Sequence, residues 1–198
     1  MSIIDMHVHT EFSPCSKLKL VEALEKASHI GVGLVITDHD TIKGALKAKS
    51  LSWKYEVAVF IGCEISTKDG QILAYGIEEE IPPRLPAEQT IELIREQGGA
   101  SVAPHPFCSA RESLFEKTYT LPLDGIEVLN LAEGGISEEA RTVALNRGLA
   151  QTGGSDAHTL SLVGEAGTKF PYQPESEDDL VELLRKKKCT PVKLTRRS

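Results

Sequence analysis

Short apolar runs alternate with amphipathic stretches along almost the whole chain, and this rhythm limits the possible folds more than any other sequence feature. Seven strand candidates stand out: SIIDMHV, GLVITD, VAVFIGCEI, QILAYGI, ASVAPH, GIEVLN and LAQTGGSD. Each is rich in β-formers or ends at a turn signal. Four helical patterns fall between them. LKLVEALEKASHI places Leu20, Leu24 and Ala27 on one face and stops at Gly31. PAEQTIELIREQGG begins at Pro86 and ends in glycines. SEEARTVALNRG offers Ser137 as N-cap and Gly148 as C-terminal stop. ESEDDLVELLRKKK is acidic at its start and basic at its end, which suits the helix dipole. Repeated strand–helix alternation predicts an α/β fold with largely parallel strands. A barrel of about seven βα units is the leading architecture, with a doubly wound open sheet second. At 198 residues the chain is short for the usual barrel of about 250, so its helices and loops must be lean. No linker, low-complexity segment or repeat interrupts it, and residues 1–198 are expected to form one domain.

The unusual polar residues gather at the C-terminal ends of these strands. His7 and His9 end the first, Asp38 and His39 the second, and Glu64 the third. His105 ends the fifth, Glu127 and Asn130 the sixth, and Asp156 and His158 follow the seventh. Five of the six histidines belong to this set; His29 stands apart in a helix. Residues i and i+2 of a strand share a face, so His7 and His9 should project side by side. Paired imidazoles invite a metal ion. Each fragment alone has a plainer role as a strand cap, turn or solvated strand end. Together they make a ring of nitrogen and oxygen ligands on the rim where parallel α/β proteins carry their active sites.

Charge and cysteine content narrow the function. A net charge of −7 argues against non-specific nucleic-acid binding over the whole surface, although bound metal can reverse the sign of a pocket. No apolar run reaches the roughly 18 residues of a membrane helix, and no signal-peptide pattern opens the chain. Cys15, Cys63, Cys108 and Cys189 lie far apart without CxxC spacing, so a reducing cytoplasm is expected.

The ordered set HVH, TDHD, a lone Glu after a strand, APHP and GSDAH resembles the PHP family, named for polymerase and histidinol phosphatase. The likeness runs from Asp5 to His158 and is greatest to the short stand-alone phosphoesterases. It implies an α/β fold, a distorted seven-stranded (β/α) barrel of the PHP type, with two or three divalent ions (zinc, manganese or iron) on its rim. By resemblance, His7, His9, Glu64 and Asp156 surround a first ion. Glu64 bridges to a second that His105 also binds, and His39 and His158 hold a third. Cys15 stands where relatives often carry a further ligand to that third ion; a thiolate there suits zinc or ferrous iron and not Mg²⁺. Many relatives place another histidine on the strand after the lone Glu. Here that strand reads QILAYGI, with Leu73 and Ala74 near the position, so the second ion is expected to be weakly held.

The resemblance implies hydrolysis of phosphate esters by a metal-activated water, with Glu64, Asp156 and His158 as catalytic residues and a nucleotide or short oligonucleotide end as partner. Arg111, on the loop after His105, is the candidate phosphate-binding residue; Lys17 and Lys43 are weaker ones. Three alternatives stay open: a phosphatase for a small metabolite such as histidinol phosphate, a non-catalytic metal-binding regulatory module, and an amidohydrolase. The basic tail RKKKCTPVKLTRRS reads as a solvated end.

Overall fold

A computed structural model describes residues 1–194. Ten strands and five α-helices follow one another as β1 (Ser2–Val8), α1 (Leu20–Ile30), β2 (Gly33–Ile36), α2 (Lys43–Tyr55), β3 (Val59–Ser66) and β4 (Gln71–Tyr75). Next come α3 (Ala87–Glu96), β5 (Ala100–Ala103), a 3₁₀ turn (Phe115–Tyr119), β6 (Gly125–Asn130), β7 (Gly135–Ile136) and α4 (Glu138–Arg147). The described residues end with β8 (Ala150–Gly154), β9 (Ala166–Phe170), α5 (Glu177–Arg185) and β10 (Thr190–Lys193). All strands join one sheet in the order β10-β9-β1-β2-β3-β4-β5-β6-β7, with β8 also on β6. Ala157, just beyond β8, bridges to Val8 of β1. Its carbonyl accepts the His9 N–H at 3.0 Å. That seam curls the sheet into a nearly closed barrel.

All seven expected strands form. The strand count is ten instead of seven, and the sheet is less parallel than expected. β3 and β4 pair antiparallel, as do β4 with β5, β9 with β1 and β10 with β9. Only residues 67–70 separate β3 from β4, whereas a parallel crossover needs a dozen or more. β10 falls in the basic tail, so 190–193 are paired strand and not a solvated end; Pro191 is tolerated because β10 lies at the sheet edge. Residues 195–198 of that tail lie outside the described residues.

Helix ends follow the local chemistry. Gly31 and Gly148 adopt left-handed φ of 69° and 62° and close α1 and α4. The Ser137 and Ser176 hydroxyls accept the Ala140 and Asp179 N–H groups at the starts of α4 and α5. Apolar packing then fixes the frame. Leu24 and Ala27 of α1 pack with Leu34 and Ile36 of β2 and with Ala45 and Ala48 of α2. Ile91 and Ile94 of α3 and Val143 of α4 cover Ile65, Ile72 and Ile126. Leu180, Val181 and Leu184 of α5 pack with Ile4, Met6, Phe60 and Leu73. Burying one such side chain contributes about 1.5–3 kcal/mol, so apolar packing supplies most of the frame on which the polar rim rests. Among the described residues, no helix is long and apolar enough to cross a membrane.

Candidate metal centre

Strand ends bring seven of the eight expected ligands together, and the loop after β1 supplies the eighth. Alternation along β1 places the His7 and His9 Nε2 atoms 3.0 Å apart. Glu64, near the end of β3, turns Oε2 to His9 at 3.1 Å and His7 at 3.3 Å, and Oε1 to His105 at 3.1 Å. Asp156 Oδ1 lies 3.3 Å from His9 Nε2 and 3.6 Å from His7 Nε2. Cys15 Sγ stands 3.2 Å from His158 Nε2. Two ligands about 2.1 Å from one tetrahedrally bound ion stand about 3.4 Å apart, so the donor spacing fits shared cations.

Three ligand groups result: His7, His9 and Asp156; His7, Glu64 and His105; and His9, Cys15, His39 and His158. The first two are buried; in the third Cys15 is exposed and the two flanking histidines are half-buried. Leu73 and Ala74 of β4 are fully buried in apolar surroundings and offer nothing to the middle group.

The surrounding hydrogen bonds set the imidazole tautomers. Glu127 Oε1 accepts from His7 Nδ1 at 3.0 Å, and the Asp156 carbonyl accepts from His158 Nδ1 at 2.9 Å. Ser13 gives its hydroxyl proton to Asp38 at 2.7 Å, so its oxygen accepts from His9 Nδ1 at 3.3 Å. Ser113 likewise donates to the His105 carbonyl and faces His105 Nδ1 at 3.4 Å. In these four rings Nδ1 is turned outward and Nε2 faces the cluster, whereas His39 turns Nδ1 toward Glu64 Oε2 at 3.5 Å. Outward partners of this kind orient metal-binding histidines and raise their basicity.

Burial opposes charge on His7, yet Asp156, Glu127 and Glu64 hold its pKa well above the ordinary histidine value. Burial likewise favours neutral carboxyls at Glu64 and Asp156. His7, aided by hydrogen bonds from neighbouring histidines, keeps both far below the carboxylate range. His39 and His158 shift down, because burial and the neighbouring His9 disfavour their charge.

Backbone detail places the ligands. His105 and Asp156 adopt φ of 31° and 52°, uncommon for residues with a side chain and typical of constrained sites. A Cβ on Gly154 would sit 2.5 Å from the Cβ of His7, and one on Gly44 would collide with the Asp38 carboxylate. Asp38 accepts Thr10 N–H and Oγ1–H at 2.7 Å each, so it fixes the turn after β1 and, through Ser13, the ring of His9.

Arg111 is braced over the rim. Its Nε donates to Glu133 Oε1 at 2.6 Å, and Nη2 lies 3.6 Å from Asp156 Oδ2. Lys17 and Lys43 are exposed, and His29 lies exposed in the last turn of α1. Sequence reading placed Glu127 and Asn130 on the rim without a role. In the fold Glu127 also accepts the His105 N–H at 3.0 Å and Asn130 Nδ2 at 2.9 Å. Ser13, Ser113 and Glu133 carried no signal in the sequence, being common polar residues in loops.

Known proteins share this architecture. Residues 137–189 match the PHP_C family, described as PHP-associated. The uncharacterized protein MJ1587 of Methanocaldococcus jannaschii is 40% identical over 137 residues, covering 64% of this chain and 80% of that protein. A phosphoribosyl 1,2-cyclic phosphate 1,2-diphosphodiesterase of Eggerthella lenta is 37% identical over 87 residues, covering 40% of this chain and 33% of that enzyme. In three dimensions the chain resembles a two-domain protein from Bacteroides vulgatus containing a predicted PHP-like metal-dependent phosphoesterase. The TM-score is 0.83 at 17% identity, over 96% of this chain and 64% of the larger one. A barrel with its donors gathered on one rim, the PHP-associated match near the C-terminus and the archaeal relative agree, and the chain belongs to the PHP family.

Proposed function

We propose that the protein is a metal-dependent phosphoesterase, a hydrolase that cleaves phosphate esters of nucleotides or short oligonucleotide ends. One observation carries this reading: four imidazoles turn Nδ1 outward to fixed partners, and three of them, His7, His9 and His105, turn Nε2 onto the Glu64 carboxylate, whose two oxygens face different histidines. A closed structural site needs four ligands; eight donors exceed that. The relative from Eggerthella lenta, a diphosphodiesterase by name, supports phosphoester chemistry.

Two or three divalent ions (zinc, manganese or ferrous iron) held here would supply Lewis-acid charge at the phosphoryl group and acidify the attacking water. His7, His9, Glu64 and Asp156 would hold the first, and Glu64 with His105 the second. Glu64, with Oε2 toward His7 and His9 and Oε1 toward His105, would contribute to both positions. Asp156 keeps Oδ1 toward the histidines, while Asn130 Nδ2, at 3.3 Å, steadies Oδ2. Arg111, with Nε tied to Glu133, presents its remaining N–H groups beside Asp156, where they would bind the phosphate group of the substrate. His158, fixed by its bond to the Asp156 carbonyl, completes the outer edge. Beside His105 opens a cavity of about 350 Å³, lined by Phe107, Val128 and Ile136 and by the polar Asn130 and Glu133. It can receive a leaving group with both apolar and hydroxyl surface. Four free cysteines accord with a cytoplasmic setting.

The test is a substrate panel on chelated protein reloaded with Mn²⁺, Zn²⁺, Fe²⁺ or Mg²⁺. It includes nucleoside monophosphates, short oligonucleotides, histidinol phosphate and an aryl phosphate. Metal-dependent phosphate release from nucleotides or oligonucleotide ends is expected. Hydrolysis of none, with any ion, would refute the proposal in favour of a non-catalytic metal-binding module.

A further inference from the structure

We propose that the end of α5 and the strand β10 form a binding track for single-stranded nucleic acid, in which Lys169, Lys187, Lys188 and Lys193 hold backbone phosphates and Tyr172 stacks on a base. The track lies outside the metal centre and its test measures binding alone, so it stands or falls apart from the phosphoesterase reading.

Charge distribution is the first observation. Residues 185–198 hold seven Lys and Arg and no Asp or Glu, in a chain whose net charge is −7. A basic stretch in an acidic protein is the electrostatic footprint of a polyanion site. The plainer account is that lysines at a helix C-terminus answer the helix dipole. That account covers α5 alone. Lys169 stands on β9 and Lys193 on β10, yet the fold gathers them at one edge of the sheet. Lys169, Lys187 and Lys188 line one cavity of about 350 Å³ with Phe170, Pro171 and Thr190. These three lysines and Lys193 are exposed. Their neighbours Arg185 and Lys186 are spent on Asp124 and Glu182, whereas no ion pair among the described residues neutralises any of the four. Lys187 also takes the left-handed position, φ 56°, where α1 and α4 end in Gly31 and Gly148. A side chain is strained there, and here it brings a charge to the cavity.

Register gives the track a direction. Thr190 pairs with Lys169 and Lys193 with Ala166, while β9 sets Phe170 beside Ser2 and Thr168 beside Ile4 of β1. β10 therefore climbs from the foot of β1 toward its His7 end, about 10 Å over three residues. A strand with one end at the rim would run down this edge, its phosphates passing Lys193 before the lower three lysines. Tyr172 supplies a contact for bases. It is half-exposed and follows Pro171 of the cavity wall; its carbonyl accepts the Ser2 hydroxyl at 3.0 Å, and its own hydroxyl donates to Asp179 Oδ1 at 3.0 Å. The ring is thus fixed beside the cavity. A basic groove with an aromatic platform is how single strands are held without sequence preference. A duplex, whose bases are already stacked, offers Tyr172 nothing. The nearby acids are engaged: Asp179 also accepts the Glu175 N–H at 3.1 Å, and Glu182 pairs with Lys186.

The test is fluorescence anisotropy of a labelled single-stranded oligothymidylate with the chelated full chain, without divalent ions. Binding is expected at low salt. Log affinity should fall with log salt at a slope of about −2 to −3, since a single strand gives about 0.7 per neutralised phosphate. Lys169→Ala, Lys188→Ala and Lys187→Gly, the last suited to φ 56°, should each flatten the slope by about 0.7 without lowering the melting temperature. Lys47→Ala, exposed on α2, should leave it alone. Tyr172→Ala should weaken binding roughly 5–150-fold, the scale of one stacked base, while Tyr172→Phe keeps the ring and the affinity. No binding at low salt, or an unchanged slope in the folded variant lacking Lys169, Lys187 and Lys188, would overturn the proposal. Equal capture of poly-glutamate, with no effect of Tyr172→Ala, would assign the surface to an acidic protein partner and overturn it too. Oligothymidylate binding by a protein that hydrolyses nothing would sink the phosphoesterase reading and leave this one standing; hydrolysis without this binding would do the reverse.

Discussion

Glu127→Gln is the most informative single change, because it alters no expected ligand and almost no volume. Glu127 is a buried acceptor with three donors around it: His7 Nδ1 at 3.0 Å on Oε1, and His105 N–H at 3.0 Å and Asn130 Nδ2 at 2.9 Å on Oε2. Glutamine keeps one oxygen and replaces the other with NH₂. Whichever way the amide turns, it points N–H groups at a donor. If NH₂ faces His7, the imidazole must move its proton to Nε2 and lose the lone pair that faces the cluster. If NH₂ faces the His105 amide, a buried N–H is left unsatisfied at about 1–3 kcal/mol. Either cost matches the roughly 10–100-fold in metal affinity expected for an outer partner, or about 1.4–2.7 kcal/mol. Competition against a chromophoric chelator at fixed pH should show that loss for the tightest ion, with unchanged circular dichroism. Near-normal affinity and near-normal thermal stability together, in a folded Glu127→Gln protein, would show that the carboxylate is not needed to satisfy both His7 and the His105 amide.

Three further outcomes are expected. Glu64→Gln removes the anion between the ligand groups and should lower turnover about 10²–10³-fold, the scale for one key electrostatic stabiliser, in steady-state assays of folded protein. Arg111→Ala should raise KM with little change in kcat, as expected of a side chain proposed to hold the ground-state phosphate; a fall in kcat alone would place it in the transition state instead. Without metal, the raised His7 pKa stabilises the fold below the unfolded value of about 6.5 and is lost as pH rises, while the depressed Glu64 and Asp156 values are lost as pH falls below about 4. Thermal melts should therefore show the chelated protein weakening from pH 6 to 8.5, roughly the histidine titration range, while metal affinity rises with release of protons; a chelated protein that gains stability across that range contradicts this.

Legibility in the sequence followed the strength of local patterning. β1 announced His7 and His9 because alternation is a property of any strand, and α1 ended at Gly31 because few other residues take its φ of 69°. Helix α2 gave no signal: its buried face consists of Gly44, Ala45 and Ala48, too small to make an apolar stripe, and Ile42 at its N-cap makes no side-chain bond. β9 and β10 hid behind Lys169 and Pro191. The antiparallel turn of β4 was readable in the short STKDG segment, but the overall rhythm outweighed it. At the centre, the residues that converge were legible because histidines are few. Their partners were not, because tertiary contacts alone select Ser13, Ser113 or Glu133 from many similar residues.

The seam that closes the barrel has a further meaning in terms of chain connectivity. Asp5 on the first strand accepts the Ser155 N–H across 150 residues of sequence, and the ligands His7, His9, Asp156 and His158 stand on either side of the same seam. Any ion shared across it ties the two ends of the domain like a clasp on a belt. In the chain-entropy picture, a cross-link closing even a 100-residue loop disfavours the unfolded ensemble by about 4.7 kcal/mol. An ion held across the seam would therefore act as a reversible cross-link, added to the backbone pairing of β1 with β9 that already closes an even longer stretch of chain.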